Sequence, residues 1–283
     1  MTPRPQAVSP LPRRLGQHFL ADGSHAARIV RAAHISADDT VVEVGPGRGA
    51  LTNIIVQQRP RSLTLVEFDP GLADALRLRY AGQDWVSVVE GDARTVDPAG
   101  LPGIGAGPYK LLGNLPYYAA SPIVRNFLES TLPPTIMVVM VQKEVAKEMT
   151  ARPGEMGLLS IGVQLYAEAE ELFDVPPSAF RPPPRVMSAI VRITVLPQPR
   201  IERGSREQFF ELVRAGFRAP RKQIRNSLAL GLDITGEEAS GVLAAAGVDA
   251  SRRAATLSLE EWGALYSAWS APHRRVPEER AEG

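Results

Sequence analysis

From residue 24 to residue 196, short apolar runs alternate with segments whose apolar positions recur every three or four residues. TVVEVG (40–45), SLTLVEF (62–68), VSVVEGD (86–92), YKLLGN (109–114) and TIMVVMV (135–141) are too short for independent helices and rich in branched residues, so they predict strands buried on both faces. SHAARIVRAAHI (24–35), GALTNIIVQQ (49–58), GLADALRLRY (71–80), PIVRNFLES (122–130) and QKEVAKEMT (142–150) carry the helical period. Ser24 is the expected N-cap of the first of these helices, and Ser121 with Pro122 the expected N-cap and first-turn pair of the fourth. Such alternation predicts an α/β fold, a parallel sheet with helices on both faces. GLLSIGVQLYA (157–167) predicts one more helix, and EELFDV (170–175) with SAIVRITVL (188–196) a terminal pair of strands.

The pattern changes at Pro197-Gln198-Pro199. Beyond it, REQFFELVRAGF (206–217), QIRNSLALGL (223–232), EEASGVLAAAG (237–247) and LEEWGALYSAW (259–269) are all helical in period. The expected organisation is therefore an α/β domain over 15–197 and a small all-helical domain over 200–270. A Pro-rich basic tail (1–14) and a polar tail (271–283) flank them, both expected to be flexible.

Composition narrows the chemistry. There are no cysteines, so disulfides, Cys-ligated zinc and a thiol nucleophile are all excluded. The four histidines (His18, His25, His34, His273) form no metal-spaced pair, and no metal is expected. The longest apolar run is far too short to span a bilayer, and the first residues lack a secretory apolar core, so the cytoplasm is the expected location and no membrane is expected as a partner. Net charge is only +1, but it is unevenly spread. Between Arg181 and Arg225 there are 11 basic and 3 acidic residues, which leaves the rest of the chain with a net charge of −7. Such polarity marks either a polyanion-facing surface or a solvated basic face. Arg214, Arg218, Arg221, Lys222 and Arg225 are the candidate phosphate contacts.

The strand ends carry the candidate chemistry. VEVGPGRGAL (42–51) joins a strand to a helix through Gly45, Gly47 and Gly49, a turn that lets a ligand approach the backbone. The spacing is G-x-G-x-G rather than the dinucleotide G-x-G-x-x-G, which weighs against a nicotinamide-dependent dehydrogenase. Glu67 ends the second strand, where a carboxylate can accept from both ribose hydroxyls, and Asp92 the third, where it can accept from an adenine amino group. Asn114 ends the fourth, within GNLPYY (113–118). Taken singly, each is as well explained as a cap or turn residue. Together they sit where ligands bind in an open α/β sheet.

That constellation resembles a class I S-adenosylmethionine methyltransferase, and NLPY resembles the Asn/Asp-Pro-Pro-Tyr type of motif in enzymes that methylate exocyclic amino groups. LGQHFL (15–20), NLPYYAASPI (114–123), PPSAFRPPPRVMSAIVR (176–192), RKQIRNSL (221–228) and RRAATLSLEEW (252–262) extend the resemblance to the bacterial small-subunit (16S) rRNA adenine N6-dimethyltransferases, from about Leu15 to Trp269. His18 stands where that family often has Asn, and Met187 where it usually has Asp. The resemblance implies a Rossmann-like class I methyltransferase sheet with a small all-helical C-terminal domain. It implies S-adenosyl-L-methionine as donor and S-adenosyl-L-homocysteine as product. It also implies a monomer that acts on the small ribosomal subunit, dimethylating two adjacent adenines in the 3′-terminal hairpin loop of its RNA. Donor contacts carry over to His18, Leu20, Gly45, Gly47, Glu67, Asp92 and Asn114, and target-base contacts to Asn114, Leu115, Tyr117 and Phe180. A core plug is the competing role for Phe180. Two alternatives share the fold: a large-subunit (23S) rRNA adenine methyltransferase of the macrolide-resistance type, which typically reads NIPY, and a catalytically silent assembly or transcription factor.

Overall fold

A computed structural model describes residues 18–201 and 206–271. The N-terminal tail and all of the C-terminal tail beyond Ala271 lie outside the described residues. The chain opens with a two-residue strand β1 (Phe19–Leu20) and helix α1 (Gly23–Ala32). It then alternates β2 (Thr40–Val44), α2 (Thr52–Gln58), β3 (Ser62–Glu67), α3 (Pro70–Tyr80), β4 (Val86–Glu90), β5 (Tyr109–Asn114), α4 (Ala120–Leu128), β6 (Ile136–Gln142), α5 (Lys143–Met149) and α6 (Leu158–Gln164). The long strands β7 (Ala167–Val175) and β9 (Ser188–Val195) flank a second two-residue strand, β8 (Phe180–Arg181). Four helices follow: α7 (Arg206–Gly216), α8 (Ile224–Leu232), α9 (Gly236–Ala245) and α10 (Leu259–Ser270).

The sheet order is β4-β3-β2-β5-β6-β9-β7, parallel from β4 to β6 and antiparallel across β6, β9 and β7. The expected terminal pair therefore exists, with β9 inserted between β6 and β7. The two-residue alternation of a strand divides its side chains between two cores. On β5, Leu111 packs into the core under α4 and α6, and Leu112 into the core under α1, α2 and α3. The first of these cores runs on into the C-terminal helices through Phe209, Leu228, Leu243 and Trp262. Small residues let those helices close up: a Cβ on Gly231 would lie 2.4 Å from the Ala215 Cα, and one on Gly216 would lie 2.3 Å from the Trp262 ring.

Two expected caps are corrected. Asp22, not Ser24, caps α1, its carboxylate accepting from the Ser24 and His25 amides at 2.8 and 3.2 Å. A carboxylate reaches both free amides, whereas Ser24 already lies inside the first turn. Helix α4 starts at Ala120 with no side-chain cap, because the turn after NLPY already closes with the Ala119 amide donating to the Pro116 carbonyl at 2.9 Å. Ser121 and Pro122 fall within its first turn.

Candidate active site

The parallel strands β4, β3, β2 and β5 are neighbours, so their carboxyl ends open on one cleft. His18, Leu20, Gly45, Gly47, Glu67, Asp92, Asn114, Leu115 and Tyr117 all line it. Of the expected donor and target-base residues, the structure brings together all except Phe180.

The floor is the turn after β2. Gly45 and Gly47 adopt φ values of +68° and +55°, in the left-handed region that glycine tolerates without strain. Space forbids a side chain as well: a Cβ would meet the Asn114 carbonyl at 3.3 Å from Gly45, and the Phe19 ring at 3.2 Å from Gly47. Glu67, only 4% exposed, closes the turn. Its Oε2 accepts from the Gly47 amide at 2.9 Å and its Oε1 from the Asp69 amide at 3.0 Å. Each carboxylate oxygen has a second lone pair left for a hydroxyl donor. The cradle and the buried carboxylate fit a ribose-bearing ligand laid against the glycines.

Asp92 lies two residues past the end of β4 rather than on the strand, which corrects its expected place. Arg94 grips its carboxylate with Nε at 3.0 and 2.9 Å and Nη2 at 2.6 Å, and holds it below the usual carboxylate range. An adenine amino group would compete with this bidentate partner. Arg94 went unnoticed in the sequence, where a charged residue after a turn has no distinguishing period.

The side of the cleft formed by β5 carries the acceptors. The Asn114 Nδ2 donates to the His18 carbonyl at 3.3 Å, which leaves its Oδ1 without a donor among the described residues. Leu115 turns its side chain into the core at 1% exposure, so it can offer the cleft only backbone. Tyr117 is half-buried, its hydroxyl bonded to Ser188 Oγ at 2.7 Å and its ring 5.8 Å from that of His18. His18 Nδ1 in turn reaches the Pro182 carbonyl at 2.8 Å. Tyr118 is 55% exposed at the mouth.

Phe180 is placed apart from the other target-base candidates. It is 0% exposed, packs with Leu20, Val175 and Ile190, and does not line the cleft. Paired with Leu20 across β8 and β1, it anchors the segment that carries His18 over the glycine turn. Phe19, Arg48 and Phe68 also line the cleft without having been singled out, Arg48 stacking 4.5 Å over the Phe19 ring. So does Glu43, a lone acid in an apolar strand, which was the available signal. Burial pushes its carboxyl up to about 8, the Thr52 hydroxyl opposes this and the charge of Glu67 adds to it. No hydrogen-bond partner lies in reach of Glu43 Oε2 among the described residues.

The sequence pattern of the ribosomal RNA adenine dimethylases matches residues 10–265, nearly the whole chain. The chain belongs to that family. It is 46% identical over 252 residues to the ribosomal RNA small subunit methyltransferase A of Dehalococcoides mccartyi (strain CBDB1), covering 89% of this chain and 86% of that one. It is 42% identical over 258 residues to the protein of the same name from Desulfitobacterium hafniense (strain DSM 10664 / DCB-2), covering 90% and 91%. Among solved structures, the 23S rRNA methyltransferase ErmE superposes with a TM-score of 0.69 at 30% identity, over 88% of this chain and 98% of that one. A dimethyladenosine transferase from Plasmodium falciparum gives a TM-score of 0.71 at 23% identity, over 88% and 96%, and shares the fold. The chain is thus an α/β methyltransferase of the class I, Rossmann-like type, and the family's chemistry uses S-adenosylmethionine. Among the described residues no cluster of metal-binding side chains occurs, and no helix is long and apolar enough to cross a membrane.

Proposed function

We propose that this family member dimethylates N6 of two adjacent adenines in the 3′-terminal hairpin loop of small-subunit (16S) rRNA and releases S-adenosylhomocysteine, with no metal taking part. The observation that carries this is the placement of Asn114, its Oδ1 free, in the same cleft as the Gly45–Gly47 cradle and Glu67.

S-adenosylmethionine supplies an electrophilic methyl group on a sulfonium. Glu67 would hold the ribose hydroxyls, Gly45 and Gly47 would admit the ligand against the backbone, and Asp92 would take the adenine amino group. His18 and Leu20 would close the strap above. The target adenine, flipped out of its stack, would lie against Tyr117. Its N6 is a weak nucleophile because the nitrogen lone pair is delocalised into the ring. The Asn114 Oδ1 and the Leu115 carbonyl would accept the two N6 hydrogens and draw that nitrogen toward a tetrahedral geometry. Pro116 fixes φ beside the Leu115 carbonyl and so limits its motion. Catalysis would rest on positioning and fixed dipoles rather than on a general base. The helices over 200–270 would grip RNA through Arg214, Arg218, Arg221, Lys222 and Arg225, while 15–197 would carry out the chemistry. All five basic residues are exposed, and none pairs with an acid among the described residues. The protein would work as a cytoplasmic monomer.

The large-subunit alternative has less support. Identity to ErmE is 30%, against 46% to the small-subunit enzyme of D. mccartyi, and this chain reads NLPYY. Purified protein, labelled donor and small ribosomal subunits lacking the modification make the test. Primer extension should stop at two adjacent adenines near the RNA 3′ end. Methylation of large-subunit RNA instead, or donor binding without transfer, would overturn the assignment.

A further inference from the structure

Helix α4 separates the main cleft from a second one. Ala119 and Ile123 face the first, while Ser121, Pro122 and Arg125, on the same turns, face the second. The second cleft lies between α4, α6 and α7 and has a volume of 340 Å³, within the range of about 300–1,000 Å³ usual for small-molecule sites. Its walls are apolar, with Leu158, Leu159 and Phe210 among them and Gly162 opening the middle. Leu158 is 45% exposed, a large apolar side chain left open beside it.

The charged side chains that line this slot have one sign. Arg125 and Arg214 are the charged residues that line it. The Arg125 guanidinium stands 5.6 Å over the Phe210 ring while its Nε pairs with Glu129 at 2.7 Å. Arg214 is exposed and pairs with no acid among the described residues. It lies on the helix that leads into Arg218, Arg221 and Lys222. Apolar walls, one aromatic face and two guanidinium groups match a flat base with an anionic linker. They match an apolar peptide less well, since such a partner would leave the Arg214 guanidinium without counter-charge. Proteins that read single-stranded RNA use this combination, stacking on an aromatic or Arg plane with cations on the backbone.

We propose that the α4–α6–α7 cleft binds an unstacked nucleotide of the substrate RNA adjoining the target adenine. Its base enters beside Phe210 and its phosphates lie on Arg125 and Arg214. The first turn of α4 is then a divider between two splayed nucleotides, one presented for methylation and the other held. A helix with its side chains is about 10–12 Å across, a gap that a short stretch of unstacked chain can span. The inference rests on the main cleft being the target-adenine site.

Gly162→Met tests it by filling the slot. A Cβ there would sit 3.9 Å from the Phe210 ring, an ordinary contact, and Met is the better helix former. With unmodified small subunits as substrate, the KM for the particle should rise about tenfold, the scale of one lost base stack. On the same samples thermal unfolding should not fall below the wild-type temperature, and donor affinity should stay at the wild-type value. Arg125→Gln with Arg214→Gln should reduce the salt slope for protein-free 3′-terminal RNA by about 1.4, the counterion term for two single-strand phosphates. A folded Gly162→Met protein with normal KM, or an Arg pair with an unchanged salt slope, would overturn the proposal. So would a loss seen with the whole particle and absent with protein-free RNA, which would assign the cleft to a ribosomal protein. Inactivity of the wild type toward the particle would instead remove the underlying function.

Discussion

Asn114 ends a strand whose neighbours on both sides are paired, so its amide leaves the sheet where nothing else can substitute for it. Asn114→Ala should lower single-turnover transfer at saturating donor by about 10²–10³, the usual cost of removing one preorganised polar contact. RNA binding and fold should survive, because the side chain projects from the strand end and leaves no large void. Near-normal turnover would make Asn114 a turn residue only. Glu67→Ala should weaken donor binding, read by calorimetry, by about 1.5–3 kcal/mol, the loss of charge-assisted hydrogen bonds, and leave RNA affinity unchanged. Glu43 sets a pH dependence. Its carboxyl rises from 4.5 to about 8 in the folded protein, chiefly by burial. Between those values the native state holds a proton that the unfolded chain has released, so the contribution is full below the lower value and lost as pH rises through the upper. Glu43→Gln should flatten the fall in melting temperature across that window. An unchanged profile would place the titration elsewhere.

At the scale of elements, the site depends on close approach. β2 and β5 run side by side with Val44 opposite Gly113, and a Cβ on Gly113 would lie 2.8 Å from the Val44 carbonyl. Gly113→Ala should therefore push β5 away from β2 and cost about 1–3 kcal/mol by overpacking, measured by chemical denaturation. It should also impair donor binding, since the same displacement moves Asn114 relative to the Gly45 turn; full stability and affinity would mean that the strands can part freely. The strap is the complementary case. β1 and β8 each have two residues, too short for a hydrophobic period to register, and their pairing across 160 positions of sequence is held by Phe180 in the core. Local signals predicted the strands and helices well because every parallel strand is apolar on both faces. They misplaced the caps of α1 and α4, where Asp22 and the NLPY turn take over a role that Ser24 and Ser121 fit equally well by residue type.

Across the whole molecule, charge is segregated. The basic stretch runs from Arg181 through β9 to the α7–α8 corner, while the acidic excess lies in the rest of the chain. Arg221→Ala with Lys222→Ala should weaken RNA binding and lower its salt slope by about 1.4–1.8, and leave donor affinity untouched. An unchanged slope would make the patch a solvated face. The helices that carry these charges are not an independent appendage, since Phe209 and Trp262 join the core that also holds Ile123 and Phe127 of α4. RNA gripped at the corner and a base in the main cleft, as proposed, would therefore be held by one continuous packed body.

The sequence by itself determined the α/β alternation, the helical C-terminal part, the glycine turn and the grouping of Gly45, Glu67, Asp92 and Asn114 at the carboxyl side of the sheet, though not that Asp92 lies beyond its strand. Each of these follows from local period or from the rule that ligands gather at the carboxyl ends of parallel strands. Family membership was legible in the motifs for the same reason, being written in contiguous stretches. What only the tertiary structure decided is which side chains face which space. Period cannot say that Phe180 is buried behind the strap rather than open to the cleft, because a buried aromatic and an exposed one look alike in sequence. Nor can it say that Arg94 grips Asp92, or that Glu43 Oε2 lies without a hydrogen-bond partner in the wall of the cleft. Those facts arise from contacts between elements distant along the chain, or from how one turn bends, and packing alone selects among such contacts.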